Sequence, residues 1–190
     1  MDSFLIAGLG NIGDEYVNTR HNVGFKVVEA FAQKHKVQFD NNRRYGSIAE
    51  FSLKGKKIIL LKPSTFMNLS GKAVRYWLTE GKVPLHRLLV VLDDLALPFG
   101  AQRLKGQGSD GGHNGLKNLQ EILNTVNYPR LRFGIENNFP KGGQVNYVLG
   151  EWSKEEAAKL PEYINQAVET IESFCLIGIE RTMNTYNKKK

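Results

Sequence analysis

The sequence is poor in cysteine and in long apolar runs, and each scarcity excludes a class of protein. Cys175 is the only cysteine among 190 residues, so an intramolecular disulfide and a zinc site built from several cysteines are both excluded. This composition fits a reducing, cytoplasmic location. No apolar run approaches the ~20 residues that a membrane-spanning helix needs, so we expect no membrane association. The short apolar run at residues 4–7 lacks a preceding basic segment and predicts a strand, not a signal peptide.

Acidic residues are fewer than basic ones, and the excess of positive charge lies in the N-terminal portion. The chain has 26 Lys and Arg against 19 Asp and Glu, a net charge of +7. Residues 1–150 contain 20 of the basic and 12 of the acidic residues. This distribution predicts an anionic partner for residues 1–150, although solubility alone explains a charge of this size equally well.

Short apolar runs predict several β-strands. They lie at residues 4–7, 88–92, 101–105 and 131–135, and two β-rich runs on either side of residues 54–56 predict a hairpin. The run at 88–92 is continuously apolar, which is typical of a strand buried on both faces.

Helical periodicity occupies the intervals between these strands. It predicts helices at residues 23–35, 66–80 and 116–124 and from residue 153 onward. Ser153 and Glu156 have the spacing of a capping box, whereas Pro161 is expected to interrupt the last helix and Gly178 to break it. The alternation of strands and helices predicts one α/β domain over residues 1–190, a layered sandwich in which helices flank a mixed, mostly parallel sheet with one antiparallel hairpin.

A glycine motif after the first strand suggests a different function. Gly8, Gly10 and Gly13 match the pattern G-x-G-x-x-G of dinucleotide-binding enzymes. That motif requires a helix to begin at the glycines, so that its N-terminus meets the pyrophosphate. Nine residues separate Gly13 from the first helical pattern, so a nicotinamide or flavin enzyme remains only the weaker alternative.

One histidine and two aspartates are candidates for acid–base chemistry. His21 lies in a polar segment between a predicted strand and a predicted helix, and Asp93 and Asp94 end the buried strand at 88–92. A carboxylate at the strand end would fix the tautomer of an imidazole and stabilise its charged form. Adjacent strand positions point to opposite faces, so spacing alone does not choose between the two aspartates. The four histidines are far apart in sequence, and no metal site is expected.

Basic residues recur after Asp94 with few acids between them. This set predicts a surface for phosphates and consists of Arg103, Lys105, Lys117, Arg130, Arg132 and Lys141.

Several motifs together resemble one enzyme family. They are Gly8–Asn11, Tyr16, Thr19–Phe25, Lys62–Gly71, Asp93–Pro98, Gly111–Leu116, Arg130–Ile135 and Tyr147–Gly150. In type, order and spacing they resemble the bacterial-type peptidyl-tRNA hydrolases over essentially the whole chain. The resemblance implies a monomeric cytoplasmic α/β enzyme that needs no metal and no cofactor. Its expected reaction is hydrolysis of the ester between a peptide and tRNA, which recycles tRNA from aborted translation, and its expected partner is the acceptor stem and 3′ end of peptidyl-tRNA.

The resemblance also assigns roles to individual residues. It implies that His21 is the general base, that Asp94 orients His21, and that Asn11 belongs to the catalytic site. It assigns contacts with the tRNA-linked substrate to Tyr16, Phe66, Asn68, Asn114, His113, Lys105 and Arg132.

The chain departs from the family pattern at three places. Ile12 stands where Pro is common, Ala96 stands where an acidic residue is common, and residues 136–138 replace the usual Gly-Arg/His-Pro. A non-catalytic RNA-binding protein on the same scaffold is the second alternative, and the presence of His21 and Asp94 argues against it.

Overall fold

A seven-stranded sheet runs through residues 1–187, the part of the chain that the computed structural model describes. The strands are Ser3–Gly8 (β1), Asp40–Arg43 (β2), Gly46–Leu53 (β3), Lys56–Pro63 (β4), Leu88–Asp94 (β5), Gln102–Lys105 (β6) and Arg130–Gly134 (β7). The three C-terminal lysines, whose contact with RNA the sequence leaves open, lie outside the described residues.

The centre of the sheet is parallel and its edges are antiparallel. The strand order is β2-β3-β4-β1-β5-β7-β6. Strands β4, β1, β5 and β7 run parallel to one another, whereas β2, β3 and β6 pair antiparallel. The predicted mixed sheet is confirmed, and the hairpin around residues 54–56 joins β3 to β4. The sequence predicts one antiparallel hairpin, whereas three strand pairs of this sheet are antiparallel. The pair of β2 and β3 is missed because β2 is polar and exposed throughout and has no apolar alternation.

Helices cover both faces of the sheet. They are Val23–Lys34 (α1), Ser70–Glu80 (α2), Asn114–Leu123 (α3), Gln144–Val148 (α4), Lys154–Ile177 (α5) and Ile179–Tyr186 (α6). Alternate side chains of β1 enter different cores: Phe4 and Ile6 pack with α1 and α5, whereas Leu5 and Ala7 pack with α2 and α3. The layered α/β sandwich predicted from the sequence is therefore confirmed.

The C-terminal helices confirm one expectation and correct another. Ser153 and Glu156 form the predicted capping box at the start of α5, and Gly178, at φ 89°, separates α5 from α6. The predicted interruption at Pro161 is wrong, because α5 continues through it. Pro161 and Ala157, whose carbonyl loses its intrahelical donor, are both exposed, so water can bind that carbonyl.

The first glycine of the motif, Gly8, ends β1 and has a packing role. A Cβ on Gly8 would lie 2.2 Å from the carbonyl oxygen of Gly24, so α1 crosses β1 at a distance that only glycine permits. Two short 3₁₀ turns, Asp14–Tyr16 and Arg20–Asn22, separate Gly13 from α1. The helix N-terminus that the dinucleotide interpretation requires is therefore absent from this turn. Among residues 1–187, no helix combines the length and apolar character needed to span a membrane.

Candidate active site

A buried carboxylate at the end of β5 joins two histidines. Asp93 is 3% exposed, and its Oδ2 lies 2.8 Å from Nδ1 of His21. Its Oδ1 lies 2.8 Å from Nε2 of His113, and the two imidazole rings are 5.2 Å apart between centroids. Three residues distant in sequence therefore form one hydrogen-bonded group, which we call the Asp93 cluster.

The remaining ring nitrogens distinguish the two histidines. Nδ1 of His113 accepts hydrogen bonds from the backbone N–H groups of Gly115 and Leu116, so its Nε2 carries the proton that Asp93 accepts. His21 donates its Nδ1 proton to Asp93, and within residues 1–187 no hydrogen bond occupies its Nε2. Only His21 thus presents an available lone pair to an incoming group.

The carboxylate that orients His21 belongs to Asp93, so the expectation that Asp94 does so is wrong. Asp93 has the same strand parity as Leu89 and Val91, which pack in the core shared with α1. His21 lies two residues before the start of α1. Asp94 points elsewhere. Its Oδ1 accepts the N–H of Ala96 at 2.8 Å, and its Oδ2 lies 3.6 Å from Nη1 of Arg132.

Burial and charge shift the pKa values of this pair in opposite directions. Burial lowers the pKa of His21, but attraction to the Asp93 carboxylate and the hydrogen bond to it outweigh burial, and the pKa rises above 6.5. Burial raises the pKa of Asp93, but the charges and hydrogen bonds of His21 and His113 hold it well below its usual range. The contribution of His21 to stability is therefore lost as the pH rises through its folded pKa, and that of Asp93 is lost as the pH falls through its own.

The Asp93 cluster also has the composition of a small metal site. One ligand atom from each of its three residues lies within 4.8 Å of the others. A metal on Nε2 of His113 would require a proton on Nδ1 of that ring, which already faces two backbone N–H donors. The donor pattern therefore fits a hydrogen-bonded relay better than a metal centre.

Asn22 fixes the turn that carries Asn11. The side chain of Asn22 accepts from the Asn11 N–H and donates to the Asn11 carbonyl, both at 2.8 Å, and does not cap α1. The side-chain Oδ1 of Asn11 accepts the N–H of Met67 at 2.6 Å. The backbone carbonyl and the side-chain oxygen of Asn11 thus both accept hydrogen bonds, and its side-chain Nδ2 remains as a donor.

A glycine loop brings His113 to Asp93. Gly111 and Gly112 have φ values of 59° and 84°, which residues with a side chain rarely adopt. After this turn His113 takes the N-cap position of α3. The same loop is held from β7, because Arg132 donates to the Ser109 carbonyl at 2.8 Å.

The Asp93 cluster lies in a cavity of about 340 Å³. One side of this cavity is formed by residues 136–149, here called the wall segment, which contribute Asn137, Phe139, Gln144, Val145 and Val148. A larger cavity of about 740 Å³ lies between β6 and helices α5 and α6, but its described lining contains no His, Asp or Glu. The groups suited to acid–base chemistry therefore lie in the smaller cavity.

The structure brings part of the predicted site together. The residues of the predicted set that line the cavity are His21, Asp94, His113, Asn114 and Arg132. Phe66 and Asn68 are exposed beside Met67, which binds Asn11, and Tyr16 ends the first 3₁₀ turn. Lys105 is exposed at the end of β6, opposite Arg130.

Relatives of this chain carry one common name. The family model described as peptidyl-tRNA hydrolase matches residues 5–190. The peptidyl-tRNA hydrolases of Phocaeicola vulgatus and Porphyromonas gingivalis are 57% and 58% identical to this chain; the matches cover 98% and 97% of it and 99% of each relative. The crystal structure of peptidyl-tRNA hydrolase from Acinetobacter baumannii is 33% identical, with a TM-score of 0.92 over 98% of this chain and 95% of that one. The chain belongs to the peptidyl-tRNA hydrolase family.

Membership in the family confirms the resemblance found in the sequence. The structure also shows where the three departures from the family pattern lie. Ile12 is 42% exposed, and Ala96 lines the cavity and donates its N–H to Asp94. Glu136 has a φ of 63°, so a residue with a side chain stands in a left-handed conformation where the family pattern has glycine.

Two arginines have roles that their sequence context does not indicate. Arg130, predicted to face phosphates, is 1% exposed and donates to the carbonyls of Gly108, Val126 and Tyr128. It therefore holds the start of the glycine loop. Arg20, to which the sequence assigns no role, binds Tyr147 within the wall segment and Glu156 beyond it.

Proposed function

We propose that this chain hydrolyses the ester between a peptide, or an N-blocked amino acid, and tRNA, and so releases tRNA for reuse. The observation that carries the proposal is His21, whose Nδ1 is held by the buried Asp93 carboxylate while its Nε2 is available at the cavity. Family membership supports the choice of substrate.

In the proposed reaction, His21 acts as a general base on water. Nε2 takes a proton from a water molecule, and the hydroxide attacks the ester carbonyl. The tetrahedral intermediate collapses with cleavage of the bond to the ribose oxygen, which takes the proton from His21. The products are a free tRNA hydroxyl and a peptide carboxylic acid, which releases its proton to solvent and becomes a carboxylate. Asp93 keeps Nδ1 protonated throughout and stabilises the imidazolium that forms between the two steps.

Amide groups around the cavity supply the uncharged donors. The Nδ2 group of Asn11 is held by the engagement of its Oδ1, so we assign it a contact with the peptide carbonyl. Asn114 lines the cavity, and Asn68 is exposed in the turn that follows Met67. Either amide can hold the attacking water or donate to the developing oxyanion without adding charge. Tyr16 and Phe66 are proposed to contact the tRNA-linked end of the substrate.

The tRNA is proposed to bind through phosphates at Lys105 and Arg132. Arg132 is already oriented by Ser109 and Asp94, and Lys105 is exposed. Recognition of an acceptor stem then rests on phosphate and shape contacts more than on base reading. We also propose that the enzyme acts as a cytoplasmic monomer and uses neither a metal nor a cofactor.

The decisive experiment compares N-acetyl-aminoacyl-tRNA with free aminoacyl-tRNA as substrates. Hydrolysis of the blocked substrate alone is expected, and it should persist after dialysis against EDTA. No hydrolysis by the folded protein would overturn the proposed activity. Loss of activity in EDTA with recovery on addition of Zn²⁺ would instead show that the Asp93 cluster binds a metal.

A further inference from the structure

We infer that Arg20 is a positioning residue that ties the wall segment to the turn carrying His21 and thereby sets the width of the substrate pocket. The role rests on the hydrolysis reaction proposed above, since its main readout is the KM for peptidyl-tRNA. Arg20 directly precedes His21 in the chain, but its side chain is only 13% exposed and faces away from solvent. It therefore acts through other residues and not on the substrate.

The Arg20 side chain contacts Tyr147 inside the wall segment and Glu156 beyond it. Its Nη2 lies 2.8 Å from Oε1 of Glu156, and its Nη1 donates to the Tyr147 carbonyl at 3.1 Å. The guanidinium carbon lies 4.2 Å from the centroid of the Tyr147 ring. A lysine does not reproduce two hydrogen bonds directed from one planar guanidinium that also lies against a ring.

The backbone reinforces the same connection. The Arg20 N–H donates to the Gly150 carbonyl at 3.0 Å, and Thr19 forms an isolated β-bridge with Glu151. The turn carrying His21 and the end of the wall segment are thus joined by both main-chain and side-chain contacts.

Glu156 connects this tie to helix α5. The Oε1 atom that binds Arg20 also accepts the N–H of Ser153 in the capping box. Glu156 therefore links the start of α5 to the turn before His21, and Arg20 extends that link to Tyr147 of the wall segment. A charge-assisted contact of this kind, half-buried and doubly used, is stronger than an exposed ion pair.

The wall segment depends on such contacts because it has little core of its own. Its helix, α4, contains no buried residue. Tyr147 and Val148 are half-buried against the core shared by α1 and α5. Two directed contacts add to this packing: the Tyr147 hydroxyl donates to the Ile135 carbonyl at 2.6 Å, and the Phe139 ring lies 5.2 Å from the Tyr147 ring. Both of these contacts involve Tyr147, and Arg20 binds the same residue. Arg20 therefore holds in place the residue that attaches the wall segment to the rest of the protein.

His21 is fixed independently of this tie. Its ring is oriented by Asp93, and the turn beneath it is held by the pairing of Asn22 with Asn11. Loss of Arg20 should therefore displace the wall segment while leaving the general base in place. The expected signature is an increase in KM with kcat nearly unchanged.

The experiment measures kcat and KM for N-acetyl-aminoacyl-tRNA with Arg20→Ala, Arg20→Lys and Glu156→Gln. Arg20→Ala is expected to raise KM roughly five- to tenfold and to change kcat less than about threefold, with the acidic limb of the pH–rate profile unmoved. Arg20→Lys should recover little of the loss. Glu156→Gln keeps an acceptor for Ser153 but loses the charge, so its KM should rise less. Arg181→Ala, at an exposed site on α6, is the matched control and should behave as wild type.

Limited trypsin digestion without substrate tests the tie separately from activity. Lys141 is an exposed cleavage site inside the wall segment. Its cleavage should be faster in Arg20→Ala than in wild type and Arg181→Ala. An unchanged rate at Lys141, an unchanged KM, or a fall in kcat accompanied by a shift of the acidic limb would each overturn the role of Arg20. An inactive wild-type enzyme would overturn the proposed reaction instead, and the digestion would still decide whether Arg20 holds the wall segment.

Discussion

The two sides of the pocket are built on different principles. On one side, Asp93 is buried at the centre of its cluster, and both of its carboxylate oxygens have a partner at 2.8 Å. On the other side, the wall segment contains a helix with no buried residue and a left-handed glutamate. Fixed geometry is needed where protons move, because a base must stay within hydrogen-bond reach of its water. The side that only encloses substrate can rest on a few contacts and accept local strain.

The strongest test of this contrast removes the proposed general base. His21→Ala is expected to lower kcat by ~10²–10⁴, the usual contribution of a positioned general base, with tRNA affinity retained. Single-turnover hydrolysis and a binding titration on the same preparation measure the two quantities. A variant that keeps more than about a tenth of the activity would assign the base elsewhere.

The second test compares the adjacent aspartates. Asp93→Asn should lower kcat by up to ~10⁴, because an amide can donate to Nδ1 of His21 and favour the tautomer whose Nε2 is protonated. Asp93 raises the pKa of His21, so the remaining activity should show an acidic limb displaced to lower pH. Asp94→Asn keeps an acceptor for Ala96 and should change kcat only a few-fold. Full pH–rate profiles of both variants at equal folded fraction provide the comparison, and the reverse ranking would refute the assignment to Asp93.

The same pair of aspartates shows what the sequence can predict. The apolar run before Asp93 predicts a buried strand and places both carboxylates at its end. Choosing between them requires the face on which α1 packs, since Asp93 shares the parity of Val91 and lies on that face. That face is a tertiary property. The resemblance alone assigns the role of orienting His21 to Asp94, which is one residue away from the aspartate that binds His21 in the structure.

Other parts of the molecule escape prediction for related reasons. The sequence predicts Arg130 as a surface cation. Its three carbonyl partners lie in loops, and no local sequence pattern predicts the conformation of those loops. Helix α4 has only five residues, and its two valines, Val145 and Val148, face the cavity, so the apolar pattern is too short to predict a helix. The central strands and α1 are predicted well, because their apolar runs are buried and their ends carry glycine or polar residues. His21 is predicted as a candidate from the sequence. Its hydrogen bond to Asp93, and its connection through Asp93 to His113, depend on the fold.

A third test asks whether the substrate's phosphates bind outside the Asp93 cluster. Lys105→Ala and Arg132→Ala should raise KM for peptidyl-tRNA with little effect on kcat, and each should lower the slope of log K against log salt by ~0.7–0.9. Lys159→Ala, at an exposed site on α5, is the control. Salt titrations of tRNA affinity give the slopes. Identical slopes in all variants would move the phosphate surface elsewhere, with Lys188, Lys189 and Lys190 as the next residues to change.

The smallest expected effect concerns the strain in the wall segment. Glu136 adopts a φ of 63°, and this conformation costs a residue with a Cβ about 1–2 kcal/mol. Glu136→Gly removes that cost but increases the freedom of the unfolded chain by ~0.5–1 kcal/mol, so a net stabilisation of about 0.5–1 kcal/mol is expected.

Glu136→Ala separates conformation from charge, because it removes the carboxylate and keeps the Cβ. Thermal unfolding of both variants should show a midpoint raised by roughly 1–4 °C for the glycine variant alone, with kcat close to wild type. Equal shifts in the two variants would attribute the effect to the lost charge. A large fall in kcat with the glycine variant would show that the wall segment contributes fixed geometry to the reaction, and the contrast between the two sides of the pocket would no longer hold.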